Sequence, residues 1–135
     1  MMKAVIDTNV FVSAFWTNNS NSPTVRIYNA MLRGDFVPLY ADDIIAEYRE
    51  VLLRDKFGFD IDKVNAVIDY ILEYGERVDP ADSDANFPDP DDRVFYCVAL
   101  AKDDEAASLI TGNIRHYPTT DFVVMPSEFC AMIGI

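Results

Sequence analysis

Short apolar runs alternate along this chain with longer segments in which apolar residues recur every three or four positions. The first run, residues 3–9, reads Lys-Ala-Val-Ile-Asp-Thr-Asn and stops abruptly in an acid, a hydroxyl and an amide. Its length, its Val5-Ile6 pair and its lack of strict alternation fit a strand covered on both faces. Residues 36–40, 107–111 and 121–125 give further strands, and residues 77–80 a short one. Between them the period is helical. Val10, Phe11, Val12, Ala14 and Phe15 make one or two turns that Trp16 closes on the apolar side. After a polar loop over 17–22, Ser22 caps and Pro23 opens a helix through Val25, Ile27, Tyr28, Met31 and Leu32 to Gly34. Ile44, Ile45, Tyr48, Val51 and Leu52 form the stripe of a helix from Asp42 to about Phe57. Val64, Val67, Ile68, Ile71 and Leu72 form that of a helix over 61–74, ended by Gly75. A polar loop over 82–88 leads to Asp89-Pro90-Asp91-Asp92 and a continuous apolar run from Val94 to Ala101, a helix buried on most sides. Pro126-Ser127-Glu128-Phe129 starts a closing helix.

Strands alternating with helices predict an α/β fold, a three-layer α/β/α sandwich around a mostly parallel, Rossmann-like sheet of about five strands. Open sheets of this kind bind ligands in the crevice beyond the carboxyl ends of their strands. Asp7 stands at such an end, and so does Thr111-Gly112-Asn113.

The chain has 135 residues, half of them hydrophobic, which suits one domain over 1–135 that buries its core without disulfides or structural metal. Cys97 and Cys130 sit in apolar surroundings with no Cys-x-x-Cys, so a reduced, cytoplasmic setting is expected. No stretch resembles a signal peptide, and no apolar run approaches the roughly eighteen residues of a membrane span. Against 11 basic residues stand 23 acidic ones, a net charge of -12. That excess works against binding nucleic acid by simple phosphate attraction. Either the acids keep an apolar domain soluble, or some of them hold divalent cations that reverse the local field.

Three acids invite the second reading, and each has a plain alternative. Asp7 ends the first strand. Glu47 leans toward the core side of its helix with no cation three or four residues away, whereas Glu50 and Arg54 can pair across one turn; a solvated helical glutamate is the alternative. Asp89 as cap, Pro90 at the first helical position and Asp92 three residues on would answer the free amides of a helix start without any chemistry. His116, the only histidine, reads as solvent-exposed rather than catalytic. If the sheet forms, Asp7, Asp92 and Thr111-Asn113 open on one crevice. Clustered carboxylates are costly unless protonated, paired or neutralised by metal, and oxygen-only donors suit Mg²⁺ or Mn²⁺. Metal-assisted phosphodiester hydrolysis is the chemistry such a set performs.

In this order and spacing, Val5-Ile6-Asp7-Thr8-Asn9, Glu47-Tyr48, Asp89-Pro90-Asp91-Asp92, Leu109-Ile110-Thr111-Gly112-Asn113 and Pro126-Ser127-Glu128-Phe129 resemble the PIN-domain ribonucleases, in particular the VapC-like toxins of toxin-antitoxin pairs. The resemblance implies a metal-dependent endoribonuclease with Asp7, Glu47 and Asp92 as acidic metal ligands and Thr8, Asn9 and Thr111 in support. The family commonly has a fourth acid where this chain has Asn113, which ligates weakly and carries no charge. It also implies an RNA substrate, a basic cognate antitoxin and a homodimer, with RNA gripped locally by Arg26, Arg93, Arg115 or Lys56. Two other readings compete. A haloacid-dehalogenase-like phosphatase shares an Asp after the first strand and a Thr after a later one, but expects its acid pair after the Thr and a Lys between. A PIN-like domain without turnover, serving only to bind a partner, accounts for Asn113.

Overall fold

The computed structural model describes residues 1–135. Five strands, β1 (Lys3–Ile6), β2 (Val37–Tyr40), β3 (Glu76–Arg77), β4 (Ser108–Ile110) and β5 (Val123–Val124), form one sheet in the order β3-β2-β1-β4-β5. Every pairing is parallel, with Lys3 opposite Val37, Leu39 opposite Glu76, Ala4 opposite Ser108 and Leu109 opposite Val123. Six helices, α1 (Thr8–Trp16), α2 (Pro23–Arg33), α3 (Asp42–Leu52), α4 (Ile61–Tyr74), α5 (Arg93–Ala101) and α6 (Pro126–Ile133), complete a three-layer α/β/α sandwich.

The strand order explains where a ligand belongs. From β1 the chain winds outward through β2 to β3, then α5 carries it back across β1, β2 and β4 to the other side. The winding therefore reverses between β1 and β4, and the strand tips part there. Asp7 follows β1 and Thr111 follows β4. β1 is enclosed after Lys3, with Ala4, Val5 and Ile6 at most 1% exposed, as the lack of alternation in its sequence requires, and β4 beside it is buried throughout.

Local chemistry sets the helix ends. Ser22 Oγ accepts from Val25 N at 3.5 Å with Pro23 at the first helical position, and Gly34 closes α2 at φ +80° with its amide on Ala30 and Met31 carbonyls. Gly75 ends α4 differently from the left-handed cap its sequence suggests: its φ is -79°, and a Cβ there would lie 2.5 Å from Ile71 O and 2.7 Å from Pro38 O. Close approach of α4 to β2 is what demands glycine.

Several boundaries differ from the sequence pattern. α3 stops at Leu52 rather than near Phe57, with Leu53 as its cap; beyond it the chain turns, Gly58 takes φ +63°, and Phe57 and Phe59 stack 5.2 Å apart against Trp16. Trp16 is 62% exposed, so it covers little of the core. Leu72 is exposed as well, outside the buried stripe of Val64, Val67, Ile68 and Ile71. β3 is Glu76–Arg77 rather than 77–80, extended by Val78 N donating to Tyr40 O at 2.7 Å.

Candidate active site

The chain turns at Asp7 from strand into helix. Its amide still belongs to the sheet, donating to Ile110 O at 3.0 Å, while its carbonyl accepts from Val10 N at 2.9 Å in the first turn of α1. A carboxylate at a helix start ordinarily caps it, but the Asp7 side chain makes no capping bond. It points to the β4 side instead, where Oδ2 accepts from Thr111 Oγ1 at 2.8 Å and from Tyr117 OH at 3.2 Å. Asn113 N donates to Thr111 Oγ1 at 3.0 Å, which leaves the single Thr111 proton directed at Asp7. Asp7 is only 4% exposed and has no cation bonded to it. Burial raises its pKa, and the bonds from Thr111 and Tyr117, the nearby Asn9 amide and the His116 charge draw it partly back.

The capping alternative for the 89–92 segment divides between its acids. Asp89 Oδ1 accepts from Asp91 N at 3.0 Å at the head of a 3₁₀ turn over Pro90–Asp92, so Asp89 is the cap. Asp92 caps nothing. Its Oδ2 is buried without a hydrogen-bond partner and lies 3.4 Å from Nδ1 of His116, near enough for charge attraction yet outside hydrogen-bond geometry. Burial first, then the charges of Asp7 and Asp89, push the Asp92 pKa up to about 6, and His116 pulls against them.

The other expected residues fall at different distances from this pair. Thr8 Oγ1 is buried and also lacks a partner. Asn9 is exposed at the first turn of α1. Glu47 is half-buried on α3, beside Ala46, Glu50, Arg54 and Asp91 in a groove between α3 and the start of α5. Burial raises its pKa, helped by Asp91, Glu50 and Asp89 and opposed by Arg54. The charges that weigh on Glu47 are thus not those of Asp7 and Asp92, and no three acidic, imidazole or thiol side chains form a ready cage. Next to Glu47, Tyr48 reaches beneath the site and donates to Ile6 O at 2.5 Å, fixing the strand end that carries Asp7.

Sequence reasoning missed Tyr117. It is 6% exposed, its hydroxyl pKa is driven up by burial and by both carboxylates, and it rests edge-on against Phe87 from the polar loop. His116 is half-exposed as expected, but it also faces Asp92. The only signal for either lay in their position, three and four residues past Asn113, where the 3₁₀ turn Ile114–His116 folds the chain back over the strand tips.

The donor set fits a hard divalent cation. Buried oxygens of Asp92 and Thr8 lack partners, every nearby ligand atom is oxygen or imidazole nitrogen, and the two buried cysteines, on α5 and α6, make no cluster with the acids. Mg²⁺ keeps several waters and needs only one or two carboxylates, a number that Asp7 and Asp92 could meet.

A reversed parallel sheet with paired acids at its switch point defines the class. The family model described as PIN domain matches residues 3–115, and the chain belongs to that family. No curated protein and no solved structure matched the chain. PIN domains are generally nucleases, hydrolases that usually use divalent metals. No helix is long and apolar enough to cross a membrane.

Proposed function

We propose that this protein is a Mg²⁺- or Mn²⁺-dependent endoribonuclease that hydrolyses RNA phosphodiester bonds, and that it is the toxin of a toxin-antitoxin pair. One observation carries the nuclease reading: Asp92 sits beside buried Asp7 with an unpartnered oxygen, although Asp89 already does the capping. A buried carboxylate oxygen without a hydrogen bond is costly, His116 Nδ1 at 3.4 Å offers it charge attraction alone, and a divalent cation would satisfy it.

Asp7 and Asp92 would hold the cation, with Glu47 as the third acid, Asn113 in the place of a fourth, and buried Thr8, exposed Asn9 and Thr111 in support. When bound, the cation supplies charge neutralisation, polarisation of a phosphoryl oxygen and a lower pKa for water. The chain's own residues do the rest. Thr111 and Tyr117 both donate to Oδ2 of Asp7, so the carboxylate has one orientation, and neither touches Oδ1. The half-exposed His116 ring, with Nδ1 3.4 Å from Asp92 Oδ2, borders that carboxylate on its solvent side.

The direct test is cleavage of mixed single-stranded RNA with Mg²⁺ or Mn²⁺, with and without chelator, beside Asp7→Asn. Metal-dependent cutting that the variant loses supports the reading; no cutting by a folded wild type, retested on tRNA, sinks it. Asn113, which brings no charge, favours a second reading as a binding module without turnover. Calorimetric titration with Mn²⁺ separates the two, since a silent scaffold takes up no metal at millimolar concentration.

The toxin reading rests on the charge of -12, which a basic antitoxin segment would neutralise. Co-purification with the product of the neighbouring gene, weighed by native mass spectrometry, tests it and also counts copies of this chain. Absence of any complex would count against a partner.

A further inference from the structure

We propose that the hollow beyond the tips of β4 and β5, lined by Gly112, Asn113, Ile114, Arg115, His116 and Met125, is a subsite for a backbone phosphate of single-stranded RNA. Arg115 is its cation. The inference rests on the nuclease reading for one point only, that the phosphate held here neighbours the one being cut.

Charge distribution singles the hollow out. Of the five concavities on the surface, four are lined by at least one carboxylate, as a chain with 23 acids would lead one to expect. The fifth has none, and it is the one that shares His116 with the Asp92 carboxylate. An anion is repelled least where no carboxylate lines the wall.

The available cations narrow the choice further. Arg33, Arg54 and Arg77 are tied to Asp35, Glu50 and Asp42, and Lys3 and Lys102 to Glu76 and Glu105. Lys56 and Lys63 lie over aromatic rings, and Arg93 donates to Ser83 O with its guanidinium over Phe87. Arg26 on α2 and Arg49 on α3 are also without an ion pair but line none of the five concavities, whereas Arg115, equally without an ion pair, lines this one, and its guanidinium fork suits a phosphate. The 3₁₀ turn that carries it is fixed by His116 N on Asn113 O at 2.9 Å and Tyr117 N on Ile114 O at 3.1 Å, so the cation is presented from an ordered backbone. In the same lining, Gly112 leaves room: a Cβ there would meet nothing within 4 Å.

The test uses a fluorescein-labelled single-stranded RNA oligonucleotide, Mg²⁺ and the uncut Asp7→Asn background, with affinity followed by anisotropy over a salt series. Adding Arg115→Ala should weaken binding about tenfold, the worth of one charged hydrogen bond. It should also reduce the slope of log K against log salt by about 0.7, one phosphate contact to a single strand. Arg115→Lys should keep the slope, and Arg33→Ala, which changes net charge equally on α2, should keep both slope and affinity. An unchanged slope in Arg115→Ala, or no salt-dependent binding in the parent, overturns the subsite. The nuclease reading fails separately: no Mn²⁺-dependent cleavage by wild type, with the slope still lost in Arg115→Ala, leaves the subsite standing without it.

Discussion

At the amino end of β1, Lys3 Nζ lies 2.8 Å from Glu76 and 2.7 Å from Glu105, and Lys102 Nζ lies 3.2 Å and 3.1 Å from the same two acids. At the carboxyl end of the same strand, Asp7 and Asp92 share a crevice with hydroxyls and one imidazole and no lysine or arginine bonded to them. Lysine hydrogen bonds hold the Glu76 and Glu105 carboxyls below their ordinary range; burial pushes Asp7 and Asp92 above it. The chain evidently can match acids with cations at the edge of its sheet, and at one edge it does not. An acid pair left uncompensated by the protein is what the proposed cation site requires.

Removing the uncompensated charge should have the largest effect. Asp7→Asn is expected to lower metal-dependent RNA cleavage by on the order of 10²- to 10³-fold or more, the scale of losing one preorganised electrostatic group. It should leave the melting temperature of the metal-free protein unchanged or raised, because a buried charge is gone; calorimetry beside the cleavage assay checks both. A variant that loses activity by unfolding would erase the contrast between the two edges. Tyr117→Phe keeps the packing against Phe87 and removes the hydroxyl that donates to Asp7 Oδ2 and lies near Asp92. Losses at residues that orient ligands are about 10- to 100-fold, so metal affinity by calorimetry should fall by about that factor with the fold intact.

The two edges should also titrate in opposite senses. Asp92 has an ordinary pKa of 3.8 and about 6 in the fold, so between those values the folded state holds a proton that the unfolded state has lost. The metal-free protein therefore gains stability from Asp92 as pH falls from about 6 toward 3.8, and above 6 it carries the full cost of the charge. Asp7 acts in the same direction. Glu76 and Glu105 do the reverse, contributing above 4.5 and losing that contribution as pH falls below it. Melting temperatures of metal-free protein should rise from pH 7 to pH 5, and Asp92→Asn should flatten the rise. Saturating Mg²⁺ should flatten it too, raising stability at pH 7 by about 2.7 kcal/mol at a hundred times Kd.

Much of this was written in the sequence because it depends on local rules. Continuous burial of Val5-Ile6 announces a central parallel strand, and Ser22-Pro23 announces a helix start. Asp7, Asp92 and Thr111 follow from strand and helix ends, and the structure brings them together. What stayed hidden depends on three-dimensional approach. Tyr117 meets Asp7 across 110 positions, and nothing in its neighbours marks it. Gly75 looks like a left-handed cap, but the contact that requires it comes from β2. Trp16 looks like core and ends on the surface with Phe57, because the residues after α3 turn back rather than continue the helix.

The smallest effect belongs to the compensated edge. Lys3→Met leaves Lys102 to face both Glu76 and Glu105 in a network whose side chains are 22–40% exposed. Pairs of that kind are screened by water and salt, so the melting temperature should fall only slightly, and less in high salt. RNA cleavage should not change, since Lys3 begins the strand that Asp7 follows and touches nothing in the crevice. A cleavage loss comparable to that of Tyr117→Phe would mean that charge at one edge is felt at the other through β1. The two ends of the strand would then be one electrostatic unit rather than a structural clasp and a separate acidic site.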